Sequence, residues 1–224
     1  MRLRCALPAL VIPPLRMRLP LEPSLGKAPL LTPDIRRIAK NCPKNLTGVR
    51  DRALVLIGYA GAFRRSELAA IEVADLTFSK NGLVIDLRRS KTDQEASGRK
   101  VGIPFGANKS TCPVRCLRHF LTKAKITSAS VFRGIDRHGH LSSQKLHRDS
   151  VRWILKVAAH RSGRKTEPLG GHSLRAGFAT QAAMNGENER DIMRQTGDKS
   201  SVMLARYIRI GQMFMHNAAA GLGI

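Results

Sequence analysis

Apolar residues recur every three or four positions along most of this chain, and give way to short β-like runs near residues 83–87 and 100–104. After a break at Thr47-Gly48, the stripe Val49, Ala53, Leu56, Ile57 and Ala60 predicts a buried helix over about 49–60. A shorter helix is expected before it, with Thr32 as cap and Pro33 at the first position. Next, in Gly61-Ala62-Phe63-Arg64-Arg65-Ser66-Glu67-Leu68, Ser66 reads as the cap of a helix reaching about Ile71, with Glu67 in its first turn. Arg64 then stands in the tight entry to that helix. Leu83 to Leu87 and Lys100 to Pro104 read as a strand and its return across a polar turn.

Further along, Pro113 opens a helix whose Val114, Leu117, Phe120, Leu121 and Ala124 pack inward. A second polar hairpin or loop holds His138, Gly139 and His140. A long helix is expected from about Ser143 to His160, with Val151, Ile154, Leu155 and Ala158 buried and Trp153 packed rather than stacked on a base. Ser173 reads as the cap of another helix, whose Leu174, Phe178 and Ala182 face the core and which Gly186 can close. Asn188 caps a short helix that Gly197 ends. Ser200 or Ser201 starts one more, with Val202, Ala205 and Ile208 on one face and Tyr207 near its end. These elements make a mainly α chain with a small antiparallel β-sheet, an α+β class. Residues 1–27 carry Pro8, Pro13, Pro14, Pro20 and Pro23 and read as an irregular or disordered leader; Gln212 to Ile224 form a small apolar tail that wants a surface.

Charge narrows the partners. The 224 residues include 39 Lys and Arg against 16 Asp and Glu, a formal charge of +23 spread through every segment. A polyanion is the expected partner, nucleic acid first; a ribosome-associated protein would share the composition. The four cysteines form no evident disulfide framework, and no stretch of about 18 apolar residues suggests a membrane span, which points to a reducing, cytoplasmic compartment. Cys112, Cys116 and His119 lack a second ligand pair at zinc spacing, so helix packing is the preferred reading and no metal is expected. His138, His140, His147 and His160 read as surface or packing residues.

Chemistry concentrates in Gly171-His172-Ser173-Leu174-Arg175-Ala176-Gly177-Phe178, where a proton-transfer group and a permanent cation lie one helical turn apart at a helix start that already attracts anions. Taken singly, His172 and Arg175 could be surface residues, Lys91 a solvated side chain on a hairpin tip, and Tyr207 a packing residue. Arg64 differs in being held rigidly, and a rigid guanidinium grips two phosphate oxygens in a fork that lysine lacks.

In the order Arg64, Lys91, His172-x-x-Arg175, Tyr207, the chain resembles the tyrosine recombinase (phage-type integrase) family over about residues 28–224. The strings Arg64-Arg65-Ser66-Glu67-Leu68, Ser90-Lys91-Thr92-Asp93-Gln94, Gly171-His172-Ser173-Leu174-Arg175 and Arg206-Tyr207-Ile208-Arg209 carry the resemblance. It implies the family's catalytic-domain architecture and site-specific recombination of double-stranded DNA through a covalent 3' phosphotyrosyl intermediate. It also implies self-association on DNA, with no metal, nucleotide cofactor, small-molecule substrate or membrane involved. Carried over position by position, Arg64 and Arg175 clamp the phosphate and Tyr207 is the nucleophile. Lys91 protonates the departing 5' oxygen, and His172 assists proton transfer at the tyrosine.

Two departures accompany the resemblance. Asp198 follows Gly197, where the family carries His or Trp to donate a hydrogen bond to the phosphate. An ionised aspartate cannot donate, and a like-charge contact near 4 Å costs about 4 kcal/mol at an effective dielectric of about 20, so impaired cleavage is expected. The leader is too short and proline-rich for the helical domain that normally precedes the catalytic one, which suggests a truncated half from a mobile element with salt-sensitive, weakly specific DNA binding. Two alternatives stay open: a type IB topoisomerase-like strand transferase, and a non-catalytic DNA-binding remnant of an integrase.

Overall fold

The computed structural model describes residues 29–87, 98–165, 169–170, 172–198, 205 and 207. Its hub is helix α2, Leu46–Ala60. The expected single stripe proves too narrow: Val49, Ala53, Leu54, Val55, Leu56 and Ile57 are all buried, because neighbours cover α2 on every side. These are α1 (Thr32–Lys40), α4 (Pro113–Lys123), α5 (Arg148–Arg161) and α6 (Ser173–Met184). Gly48 is no break. It lies in the first turn of α2 and donates its N–H to the Asn45 cap at 2.9 Å; a Cβ there would come within 2.1 Å of the Pro43 carbonyl oxygen. The residue chosen for close approach looked in sequence like a helix breaker.

The β structure is small and antiparallel. Strands β1 (Leu76–Phe78), β2 (Gly82–Leu87) and β3 (Arg99–Pro104) form a sheet in that order. Leu83 and Ile85 of β2 and Val101 and Ile103 of β3 point into the core, the alternation expected of a sheet with one wet face. Strand β1 has only three residues and escaped the sequence pattern. The polar hairpin expected around His138–His140 is formed by β4 (Arg133–Ile135) and β5 (Leu141–Lys145), and only the end of β5, from Ser143, takes residues expected to begin the long helix. Helix α5 therefore starts at Arg148, where the His147 ring nitrogen accepts the Asp149 N–H at 3.3 Å. On α5 the buried positions are Val151, Ile154, Leu155, Ala158 and Ala159; Trp153 falls outside that arc and is 69% exposed, against the packed position expected for it. Short helices α3 (Arg65–Ala70) and α7 (Glu189–Thr196) complete the mainly α architecture.

The HxxR helix α6 is seated by its small residues. A Cβ on Gly177 would lie 1.9 Å from the Leu30 carbonyl oxygen, while the Leu30 N–H donates to Ser173 O at 3.2 Å. Gly58 of α2 likewise leaves room for the Leu174 side chain. Gly177→Ala would gain helix propensity but must push α6 away from rigid backbone. The expected net result is a loss of about 1–3 kcal/mol, read as an earlier midpoint in urea denaturation.

Candidate active site

The site begins where α2 ends. Gly61, Ala62 and Phe63 reverse the chain, with Ala62 in the left-handed region at φ +50°, a conformation costing a non-glycine residue about 1–2 kcal/mol. That turn aims the Ala62 carbonyl across the site and delivers Arg64 to the N-cap of α3. Ser66 is not the cap. Instead Glu67 reaches back, accepting the Arg64 backbone N–H at 2.9 Å and the Arg64 Nη1 at 2.7 Å. Arg64 is thus fixed at both ends of its side chain. Its neighbour Arg65 points elsewhere, to Asp149 of α5 at 2.6 Å.

Arg175 comes from the first turn of α6. Ser173, expected as the cap, is instead the first helical residue; it is fully buried and its hydroxyl accepts the Gly170 N–H at 3.0 Å. The N-cap is His172, which stays exposed while Arg175 turns inward to 8% exposure. The Arg175 Nη1 donates to Ala62 O at 2.9 Å and also to Thr196 O, and its Nη2 donates to Asp198. The Arg64 Nη2 lies 3.6 Å from the same Asp198 oxygen, Oδ1. Two guanidiniums from distant parts of the chain therefore converge on one carboxylate oxygen.

A third guanidinium borders the pair. Arg99, the first residue of β3, donates to Glu67 Oε2 at 3.3 Å and to Gln195 O at 2.7 Å. Burial draws the pKa values of Arg175 and Arg99 below the ordinary arginine range, while Asp198 and Glu67 respectively push them back up. The pKa of His172 is also lowered, first by the covered part of its ring and then by Arg175, Arg65 and Arg64, against a smaller upward push from Asp198. The imidazole is therefore neutral at neutral pH and able to accept a proton.

Of the residues singled out from sequence, Arg64, His172, Arg175 and Asp198 share one locality. Lys91 lies outside the described residues, as do Gly171, the leader and the apolar tail. Tyr207 is helical and half-buried, packed against the apolar cluster of Ala179, Ala182, Ala183 and Ile192 where α6 meets α7. Sequence reasoning missed Arg99 and the Ala62 and Thr196 carbonyls. Glu67 appeared only as a first-turn acid, and its capping spacing from Arg64 was the available signal. Cys112 and Cys116 are buried and bond locally, to Gly106 N at 3.2 Å and Ser110 O at 3.5 Å, whereas His119 is exposed. Among the described residues, no group of three or more His, Cys, Asp or Glu side chains could hold a metal ion. No described helix is long and apolar enough to cross a membrane.

This arrangement can bind an anion: the Asp198 carboxylate already occupies the point where the Arg64 and Arg175 forks meet. It offers positive charge held in place before any ligand arrives, the condition for stabilising charge that develops during reaction. Residues 30–212 match the phage integrase family. An integrase/recombinase xerD homolog of Selenomonas ruminantium is 41% identical over 194 residues, covering 86% of this chain and 57% of that protein. Tyrosine recombinase XerA of Pyrococcus furiosus is 27% identical over 195 residues, covering 87% of this chain and 62% of the relative. The chain thus spans about three fifths of these two curated relatives. A crystal structure of XerA recombinase superposes with a TM-score of 0.65 at 18% identity, over 87% of this chain and 63% of that one, which shows a shared fold.

Proposed function

Because the chain belongs to the phage integrase family, we propose that it performs site-specific recombination, cutting and rejoining double-stranded DNA through a covalent 3' phosphotyrosyl intermediate. The observation that carries this reading is the convergence of Arg64 and Arg175 on one anionic oxygen. In the working complex a DNA phosphate takes that place. Both forks hold its free oxygens and gain strength as charge builds on the five-coordinate phosphorus.

Tyr207 is the nucleophile. Its phenol must lose its proton as it attacks, the neutral imidazole of His172 can assist that transfer, and the phosphorus–oxygen bond to the 5' side breaks as the tyrosyl bond forms. Lys91 protonates the departing 5' oxygen. A 5' hydroxyl from another strand later attacks the phosphotyrosine, restoring the diester and freeing the phenol. The formal charge of +23 suits a DNA partner, and exchange of strands between duplexes calls for self-association on that DNA. In this reading the catalytic domain spans residues 28–224.

One observation favours a second reading, a non-catalytic DNA-binding remnant: an anionic side chain, Asp198, already fills the clamp. The two are separated with a duplex nicked just beyond the cleaved phosphate, so that the short 5' product diffuses away and the covalent species accumulates. The enzyme forms a detergent-stable adduct that disappears in Tyr207→Phe. A remnant binds the same DNA and leaves no adduct. Joining of strands between duplexes, rather than relaxation of supercoils alone, distinguishes a recombinase from a type IB topoisomerase-like enzyme.

A further inference from the structure

Arg99 has no role in the chemistry above, yet it touches both halves of the clamp. Its Nη2 shares the Glu67 carboxylate, which holds Arg64. Its Nη1 holds Gln195 O, and the next carbonyl along the chain, that of Thr196, is the one that accepts from Arg175. Between that carbonyl and Asp198 lies Gly197 at φ +67°, packed so closely on Arg99 that a Cβ there would come 2.6 Å from the Arg99 Nε. The guanidinium thus braces the end of α7 from below while its other edge steadies α3. Arg99 is also the first residue of β3 and pairs with Leu87 across the sheet, so it gives these contacts a firm base.

Charge balance gives the bracing a further consequence. The Glu67 side chain is only 7% exposed and Arg99 22%, so their interaction is little screened by water. Without Arg99, the buried carboxylate would keep Arg64 as its one direct ion-pair partner among the described residues and would cancel more of the charge that Arg64 can offer an incoming anion. With Arg99, three guanidiniums (Arg64, Arg99 and Arg175) face two carboxylates (Glu67 and Asp198), and the cluster keeps one positive charge in surplus.

We infer that Arg99 is a positioning residue of the clamp, which leaves the Arg64 charge free for a phosphate by sharing Glu67 and sets the Arg175 fork by holding the end of α7. This deepens the proposed recombinase reading and rests on it for the identity of the anion. It is nevertheless tested without DNA cleavage, using orthovanadate as a small tetrahedral oxyanion. Vanadate affinity is measured by calorimetry for the parent chain, Arg99→Met, Arg99→Lys and Arg175→Met, the last defining binding outside the clamp.

Arg99→Met is expected to weaken the clamp-dependent binding tenfold or more, with Arg99→Lys in between because it restores charge but not the two-pronged contact. If Arg99→Met does not fold cooperatively, Arg99→Lys decides, with a loss of at least threefold expected. Affinities within twofold of the parent overturn the inference. So does a parent that binds vanadate no better than Arg175→Met. In the adduct experiment Arg99→Met should lower the maximal rate while leaving DNA affinity nearly unchanged, a split that general loss of stability does not produce. Absence of any adduct in the parent, with vanadate binding that depends on Arg99, would sink the enzymatic reading and leave this inference standing.

Discussion

Replacing Asp198 with His is expected to raise the rate of covalent adduct formation about 100-fold or more. The reason is the position of the carboxylate, which accepts from the Arg175 Nη2 and lies 3.6 Å from the Arg64 Nη2. A phosphate entering the clamp must displace it, exchanging one anion for another, and once displaced the carboxylate remains close enough to repel its replacement. Histidine removes the competitor and supplies a ring N–H donor. Loss of a single donor to developing oxyanion charge typically costs 10²–10³ in rate, so restoring one on top of relieving repulsion supports this magnitude. Asp198→Asn separates the two contributions: it removes the charge without a ring, and should recover part of the gain. Arg175 would lose one charge-assisted bond but keep the Ala62 and Thr196 carbonyls, so the stability cost should be limited to about 1–3 kcal/mol, measurable by urea denaturation. An unchanged adduct rate in folded Asp198→His would mean that Asp198 does not compete with the scissile phosphate.

Arg175→Met should do the opposite, harming activity and stability together. Methionine preserves the apolar stem but removes every donor, leaving the Ala62 and Thr196 carbonyls and the Asp198 carboxylate without that partner. Losing the buried member of this part-buried pair, together with two buried hydrogen bonds to carbonyls, costs about 3–5 kcal/mol, a large share of the roughly 5–15 kcal/mol that stabilises a domain. The single-turnover adduct rate should fall at least 10²–10³-fold, since the lost group is both a charge and a fork. Arg175→Lys retains charge alone and should regain part of the stability but little of the rate. A folded Arg175→Met with parental adduct rate would remove this residue from the mechanism.

The contrast between Arg175 and Arg99 shows where sequence reading reaches and where it stops. Arg64, His172 and Arg175 stood out because each sits at a helix start with a recognisable spacing, and helix starts are written locally in capping residues and glycines. Even there the caps moved: Arg64 and His172 are themselves the N-caps, and Ser66 and Ser173 are not. The helices α2, α4 and α6 were legible from their apolar spacing, and α7 from its Asn188 cap and Gly197 end. Strand β1 was not, since three residues carry no period, and the end of β5, from Ser143, was taken into the following helix because its Ser-Gln-Lys run lacks an apolar alternation. Arg99 was invisible for a different reason. Its partners are Glu67 and the Gln195 carbonyl, 32 and 96 positions away, and a backbone carbonyl has no signature in sequence. Trp153 was misplaced because an isolated aromatic beside a buried stripe gives no sign of which side of the helix arc it falls on.

The central claim is that Tyr207 attacks a DNA phosphate held between Arg64 and Arg175. It is tested most directly by incubating the Asp198→His chain, in which the competing carboxylate is gone, with the nicked duplex. The covalent product is then quantified beside Asp198→His/Tyr207→Phe. The account predicts a detergent-stable, protease-sensitive protein–DNA adduct in the first and none in the second, with both proteins binding the duplex equally. No adduct in either, from folded proteins that bind the DNA, contradicts it, as does an adduct that persists when Tyr207 is replaced.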